Sequence, residues 1–360
     1  MASKLREHIL ITVPVEVSEE RLARLKAKFP NVEITIIPTP SPRSSEWKTF
    51  KQPGKEDYAG KTILVTLNVL PETMDDAPDL SHIHLCSSGT DHIMQHPVYT
   101  QSSVLMTTSR GIAGPPIAEW VIMTALVHWH KYNYARELHL QHQWNSGAQF
   151  MSCRDVVGQR IGIVGYGGIG RHVARIAKAM AMDVYAFTAT PKETPEQRRD
   201  TGYIVPNTGD PDGSIPTKWF SGLDKPSFHE FLRQDLDIVV LCLPLTPQSR
   251  HILSKAEFEI LSSRKTFVSN ISRGEIIDQP ALITALETGQ LRGAALDVTD
   301  PEPLPADSPL WKAPNIIISP HMSGFVANYG ERVIDVLELN LEKKSRGEPM
   351  VNVIQRGKGY

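Results

Sequence analysis

Cysteine is scarce: Cys86, Cys153 and Cys242 are the only three in 360 residues, odd in number and far apart. Neither a disulfide framework nor a zinc spacing can be built from them, which suits a reducing compartment, and no metal site is expected. No run approaches the roughly 18 uninterrupted apolar residues of a membrane span. The opening M-A-S-K-L-R-E-H-I-L lacks the apolar core of a signal peptide, and the closing R-G-K-G-Y matches no peroxisomal or prenylation signal. A cytoplasmic location is the resulting expectation. An excess of one charge is missing too: the net charge is -2, and the absence of a long basic block argues against nucleic acid as a main partner. There is no internal repeat and no low-complexity tract. What remains is an ordinary globular composition and a length that suggests about two domains.

The chain is organised around Arg160 to Arg171, R-I-G-I-V-G-Y-G-G-I-G-R. A short apolar run feeds into Gly165, Gly167 and Gly170, and an apolar-periodic segment, Ile169 to Ala181, follows. Strand, tight glycine turn and helix in that order suit a dinucleotide. Its pyrophosphate can rest on helix N–H groups only if the backbone comes close. A lone G-x-G-x-x-G is weak evidence, but here a strand-like run and a helical segment flank it.

Before this turn, His8 to Val13, Val32 to Ile37, Thr62 to Leu67, Ile83 to Cys86 and Val104 to Thr107 read as strands. Ser18 opens a helix with Leu22, Leu25 and Phe29 at helical spacing. Alternation of strands with helices or loops predicts a parallel sheet, here in a flavodoxin-like arrangement. From Pro115 and Pro116 a stripe through Val121, Ala125, His128, Tyr132, Ala135, Leu138 and His142 predicts one long helix of about six turns crossing between domains. On it His128 and His142 read as packing or surface residues.

After the turn, strands are predicted at Val184 to Thr188, Ile238 to Leu243, Thr266 to Ile271, Ala294 to Val298 and Ile316 to Ser319. Helices are predicted around Lys255 to Leu261 and Pro280 to Thr288, enough for a doubly wound dinucleotide domain. Pro191 to Pro226, rich in Pro, Gly and Asp, reads as a long surface excursion with no assignable role. Val326 to Lys344 is helical by spacing. The fold class expected is α/β with two doubly wound parallel sheets: a flavodoxin-like domain from 1–127 plus 322–360, and an inserted Rossmann domain over 128–321.

Three segments follow predicted strands and carry titratable residues among turn residues: N-I-S-R-G (Asn270 to Gly274), D-P-E-P-L-P (Asp300 to Pro305) and S-P-H-M-S-G (Ser319 to Gly324). Ligands bind at the C-terminal ends of strands in open α/β sheets, so Arg273, Glu302 and His321 are candidates for one crevice. Singly, each also reads as an ordinary surface ion pair, turn carboxylate or loop histidine. The chemistry each offers is specific. Arg273 can hold a carboxylate in a planar two-point contact. His321 can deliver a proton near neutral pH, and a carboxylate from Glu302 would support the charged imidazolium.

Taken in order, G-Y-G-G-I-G, L-P-L-T at Leu243 to Thr246, N-I-S-R-G, G-A-A-L-D-V at Gly293 to Val298, D-P-E-P-L-P and S-P-H-M-S-G resemble the D-isomer-specific 2-hydroxyacid dehydrogenase family. The resemblance covers the dinucleotide domain almost entirely. It is looser in the first domain, where S-S-G-T-D at Ser87 to Asp91 resembles the family's substrate loop and I-A-E at Ile117 to Glu119 its crossing helix. It implies Arg273, Glu302 and His321 as catalytic residues, with Arg273 and His321 also on the substrate. Ser88 and Gly89 would offer backbone N–H groups to the substrate carboxylate, or form only a tight turn. Gly165, Gly167, Gly168, Ile169, Gly170, Thr188, Ala189, Thr190, Pro244, Thr246, Ile271 and Asp297 would line the cofactor. Asp297 sits where members of the family contact the nicotinamide carboxamide; it also reads as a strand-end carboxylate accepting a backbone hydrogen bond.

The implied activity is hydride transfer between NAD(P)H and a 2-oxo acid such as glyoxylate, hydroxypyruvate or a bulkier homologue, giving the D-2-hydroxy acid. The alternative is a dinucleotide-sensing binding protein, since corepressors on the same fold keep the same three residues. Formate dehydrogenases share the architecture but pair the histidine with an amide, and Glu302 argues for acid–base chemistry instead. One departure bears on the cofactor. The strand end where an acidic residue normally repels a 2'-phosphate reads Thr188, Ala189, Thr190, with Lys192, Arg198 and Arg199 following. NADPH is therefore expected over NADH. A homodimer is expected through the long helix, where Trp129, Tyr132 and Tyr134 give more aromatic surface than one crossing needs.

Overall fold

The computed structural model describes residues 5–42, 44–145 and 147–356. The chain forms two compact units: Met1–Ala113 with Thr201–Tyr203 and Val326–Tyr360, and Gly114–Asp200 with Ile204–Phe325.

The first unit is built on β1 (Glu7–Thr12), β2 (Val32–Ile36), β3 (Ile63–Thr66), β4 (His82–Leu85) and β5 (Leu105–Thr108), in the order β2-β1-β3-β4-β5. Every pairing between these strands is parallel. β3 and β4 are buried along their whole length, as strands covered on both faces must be, so they read as continuous rather than alternating runs. The helix Glu19–Lys28 starts where Ser18 caps it by accepting from Arg21 N. The terminal helix Tyr329–Arg346 buries Val333, Val336, Leu337 and Leu341 and ends at left-handed Gly347. Beyond it Thr108 N donates to Asn352 O and Ile354 N to Met106 O, so the chain's end runs along β5.

The second unit holds β6 (Arg160–Val164), β7 (Asp183–Thr188), β8 (Lys218–Ser221), β9 (Ile238–Leu241), β10 (Phe267–Asn270), β11 (Gly293–Leu296) and β12 (Ile316–Ile318). Their order is β12-β11-β10-β9-β6-β7-β8, again all parallel. Chain direction across the sheet reverses between β6 and β9, which is the switch point of a doubly wound fold. Phe187, Phe228, Phe231, Phe258, Leu261, Val268, Leu282 and Leu296 belong to one buried core.

Three sequence expectations change. The long crossing helix is two helices, Gly114–Trp129 and Tyr132–Leu140, because Lys131 takes a left-handed conformation at φ 52. The first helix ends pinned: His128 and Trp129 both pack on Phe267, with ring centroids 5.1 and 5.3 Å apart. That helix also groups with the second unit, so the boundary falls at 113/114 rather than 127/128, and the return falls at 325/326 rather than 321/322. Its start is the reason. A methyl on Gly114 would lie 2.3 Å from the His172 ring, so the helix lies hard against the helix Gly168–Ala179. Finally, the excursion 191–226 is not featureless, since it contains β8, where Trp219 and Phe220 pair with Ala186 and Phe187 of β7. A doubly wound sheet needs this third strand on the β7 side. Thr201–Tyr203 of the same excursion cluster with the first unit, where Tyr203 N donates to Asn352 Oδ1.

Candidate active site

The glycine turn follows β6, and each of its three glycines meets a different constraint. Gly165 has φ 97, and a Cβ there would sit 2.6 Å from Cys242 O at the end of β9. A Cβ on Gly170 would sit 2.4 Å from Gly165 O, so the helix could not pack against the turn. Gly167 is different: a Cβ there meets nothing within 4 Å. It is the N-cap of the helix Gly168–Ala179 and supplies no side-chain cap, so the helix start keeps its N–H groups and positive dipole end for a ligand. These residues fit a dinucleotide pyrophosphate. Gly168 and Ile169 form the first turn of that helix, with Gly168 buried and Ile169 half-buried.

Around it, Ser249 Oγ ties the loop after β9 by donating to Pro244 O at 2.7 Å and accepting from Thr246 N at 2.8 Å. Ile271, after β10, is buried. At the end of β7 the Thr188 hydroxyl donates to Thr190 O at 2.8 Å, while Ala189 and Thr190 are exposed. Arg198 is committed to Lys192 O and Glu193 O, and Arg199 lies 3.6 Å from Asp212. Lys192 is half-buried, and its ammonium has no partner recorded among the described residues.

The three candidate catalytic residues leave three adjacent strands at the same end: Arg273 after β10, Glu302 after β11 and His321 after β12. Glu302 and His321 meet, with Nδ1 2.9 Å from Oε2. Both side chains are about one-third exposed, so the pair stays open to a ligand. The other carboxylate oxygen of Glu302 accepts from Thr299 N at 3.2 Å, which fixes the loop that carries it.

Arg273 is brought to this loop by its neighbour. A Cβ on Gly274 would lie 2.0 Å from Thr299 C, so only glycine lets the backbones after β10 and β11 touch. Asn270 and Ser272 hold the turn: Asn270 Nδ2 donates to Arg273 O and Ser272 Oγ to Leu241 O. Arg273 itself donates from Nη1 to Ser272 O at 2.7 Å.

Asp297, 2% exposed, anchors the histidine loop. Its carboxylate accepts from Ser319 Oγ, Met322 N, Ser323 N and Ser323 Oγ at 2.5–3.0 Å, and its carbonyl accepts from His321 N at 2.8 Å. Ser319 and Ser323 were invisible to sequence reasoning in this role, because the carboxylate they serve lies more than twenty residues away. Ser88 and Gly89 lie in the first unit, after β4. There Ser87 Oγ donates to Gly89 O at 2.8 Å, Ser109 N donates to Ser87 O, and Ser88 is exposed.

Residues 122–207 and 214–323, more than half of the chain, match the family described as D-isomer specific 2-hydroxyacid dehydrogenase, NAD binding domain. The chain belongs to that family. It is an NAD(P)-dependent dehydrogenase with two parallel-sheet α/β units. Glyoxylate reductase of Thermofilum pendens is 28% identical over 311 residues, covering 85% of this chain and 84% of that protein. The fold is shared with a D-isomer specific 2-hydroxyacid dehydrogenase from Xanthobacter autotrophicus, solved with NADPH and MES, at TM-score 0.74 and 22% identity over 99% of this chain and all of that one. It is shared too with the NADPH-dependent glyoxylate/hydroxypyruvate reductase of Sinorhizobium meliloti, solved with NADP and sulfate, at TM-score 0.72 and 22% identity, again over 99% and 100% of the two chains. Among the described residues no helix is long and apolar enough to cross a membrane.

Proposed function

We propose that the chain reduces a small 2-oxo acid, glyoxylate, hydroxypyruvate or a bulkier 2-keto acid, to the D-2-hydroxy acid with NADPH. The observation that carries this reading is the Glu302–His321 contact at 2.9 Å, formed between the loops after β11 and β12, with Arg273 on the loop after the neighbouring β10. Bound reduced nicotinamide would supply the hydride for the carbonyl carbon. Negative charge then grows on the carbonyl oxygen, and His321 would deliver the proton there while Glu302 holds its Nδ1. Arg273 would hold the substrate carboxylate and fix which face of the carbonyl is presented.

The preference for NADPH rests on the missing acidic residue at the end of β7. Thr188 and Arg198 are engaged locally and Arg199 lies near Asp212, so among the described residues of this stretch Lys192 would be the cation to meet a 2'-phosphate. That a glyoxylate reductase is the relative above, and that the two solved proteins hold NADPH or NADP, supports the same reading.

The homodimer belongs to the proposal with its surface revised. Trp129 is buried on Phe267, so it does not contribute. Tyr132, Leu140, Trp144 and Met151 are 57, 63, 97 and 87% exposed, and Trp144 lines a cleft of about 600 Å³ with Leu138, His139, His142 and Phe150. Apolar side chains this exposed on one segment suit a partner copy. A monomer by light scattering at micromolar concentration would remove this part.

The test of the activity is turnover of glyoxylate, hydroxypyruvate and longer 2-keto acids by purified protein, followed as loss of reduced nicotinamide. Reduction of at least one, with D-product, is expected. Retained dinucleotide binding without turnover of any of them would favour the sensor reading instead.

A further inference from the structure

Beyond Lys192, the excursion after β7 takes no part in the chemistry above, yet four side chains of the glycine turn and its helix end on it. Tyr166, between Gly165 and Gly167, is buried and its hydroxyl donates to Asp210 Oδ2 at 2.7 Å. The Asp210 carboxylate is fixed in turn by Ser214 N, Ser214 Oγ and Ile215 N. Arg171 is buried, donates to the carbonyls of Asp210 and Arg198, faces the Asp200 carboxylate at 3.5 Å and lies 5.0 Å over the Tyr166 ring. His172 bridges Gly168 O and Thr208 Oγ1 at 2.6 and 2.7 Å, and Arg175 donates to Gly209 O. Burial, and after it the Asp210 carboxylate, pushes the Tyr166 phenol far above its ordinary range, so it stays a donor throughout the working pH range.

A turn rich in glycine has many shapes open to it, and only one presents its N–H groups to a pyrophosphate. Something must select that shape. Trp219 of β8 closes the other side of Tyr166, edge to face at 4.9 Å, and Gly213 comes so close to Arg198 O that a Cβ would sit 2.4 Å from it, folding the excursion back on itself. The Tyr166–Asp210 contact is polar, buried and directed at the residue lying between two glycines of the motif.

We infer that residues 198–200 and 208–215 are a brace for the dinucleotide turn, with Tyr166 and Asp210 as positioning residues that hold it in its binding shape before the cofactor arrives. The inference rests on the chain's binding a dinucleotide, as its family does. It predicts a loss of affinity for anything carrying the pyrophosphate, whatever its 2' group, with no effect on the chemical step.

The experiment is calorimetric titration of wild type, Tyr166→Phe and Asp210→Ala with NADPH, NADH and ADP-ribose, beside steady-state kinetics and melting of the unliganded protein. Tyr166→Phe deletes one hydroxyl and leaves the three other donors to Asp210 in place, so the fold is retained. The Kd for all three ligands is expected to rise roughly tenfold, as for one lost hydrogen bond to a buried carboxylate, with an unchanged NADPH/NADH ratio and an unchanged kcat at saturation, while the melting temperature of the unliganded protein falls by a few degrees. Asp210→Ala should show at least the same loss of affinity. Wild-type affinity for ADP-ribose in Tyr166→Phe, or a fall in kcat and melting temperature without a change in Kd, would overturn the brace. A wild type that binds none of the three ligands would instead remove the dinucleotide reading beneath it.

Discussion

His321 stands at φ 53, a left-handed conformation that costs a residue other than glycine on the order of 1 kcal/mol or more. The five bonds that the 319–323 loop makes to Asp297 offset that cost and aim the imidazole at Glu302. Two substitutions probe what the aim is for. In Glu302→Gln, the amide oxygen can keep the bond from Thr299 N, which leaves the amide nitrogen facing His321 Nδ1. That nitrogen can only donate, so it favours the tautomer with the proton on Nε2 and gives a newly formed imidazolium no carboxylate partner. Ketone reduction should fall roughly 100-fold, at the low end of general acid–base effects, with dinucleotide Kd unchanged by titration. A variant with wild-type kcat/KM would mean that Glu302 only fixes its own loop. Arg273→Lys keeps the charge and loses the planar fork, so kcat/KM should drop by about 2 to 4 kcal/mol in transition-state stabilisation. Equal losses in cofactor affinity and turnover would make Arg273 a structural residue of the β10 turn.

At the scale of elements, specificity for the cofactor is set by what ends β7. An aspartate there would face a 2'-phosphate with like charge, whereas Ala189 is small and exposed. Ala189→Asp should move the kcat/KM ratio toward NADH by more than about tenfold, an electrostatic discrimination of roughly 1.4 kcal/mol. Lys192→Ala should weaken NADPH and leave NADH alone; a ratio that moves in neither variant would show that this strand end does not read the 2' position. The same stretch shows where sequence reasoning runs out. The predicted strands were legible because buried parallel strands are continuous apolar runs, as in Ile63–Thr66 or Ile238–Leu241, and the glycine turn because its spacing is a steric requirement. β8 was not, because Lys218–Ser221 is a four-residue edge strand embedded among Pro, Gly and Asp. The helix break at Lys131 was hidden for another reason: no Gly or Pro marks it, and the apolar stripe continues from one helix to the next. Of the site, the titratable residues could be picked from strand ends, but not the clasp of Asp297 on Ser319 and Ser323, which only the pairing of β11 with β12 creates.

For the molecule as a whole, acid sensitivity comes from histidines kept neutral by burial, His128 in the second unit and a pair in the first. His82 and His84 lie two residues apart on β4, so both point to the same face, and both are buried. They share the Thr107 hydroxyl, at 2.7 Å from His82 Nε2 and 2.8 Å from His84 Nδ1, and His84 Nε2 meets Ser109 Oγ at 3.0 Å. Burial lowers His82 to about 3, with His84 and Lys344 adding repulsion, and lowers His84 to about 4. Lys344, which repels a charged His82, is itself paired with Glu7 at 2.6 Å. In the unfolded chain both histidines take up a proton near 6.5, so between about 6.5 and 4 the unfolded state binds more protons than the folded one, and stability falls as pH falls through that window. Above about 6.5 the two states bind alike and the dependence vanishes. From about pH 6.5 to 5 the loss is on the order of 2 kcal/mol for each histidine, at 1.36 kcal/mol per pH unit. Amide exchange of β4 and β5, corrected for the intrinsic pH dependence, should therefore lose protection over this range while most carboxylates remain ionised. His84→Gln should show about half the wild-type slope, whatever its starting stability, because only His82 of the pair is left to titrate. A wild-type protection that does not change from pH 6.5 to 5 would mean that the buried pair takes up protons in the folded state over the same range as in the unfolded chain, and that the Thr107 network is arranged differently from the one described.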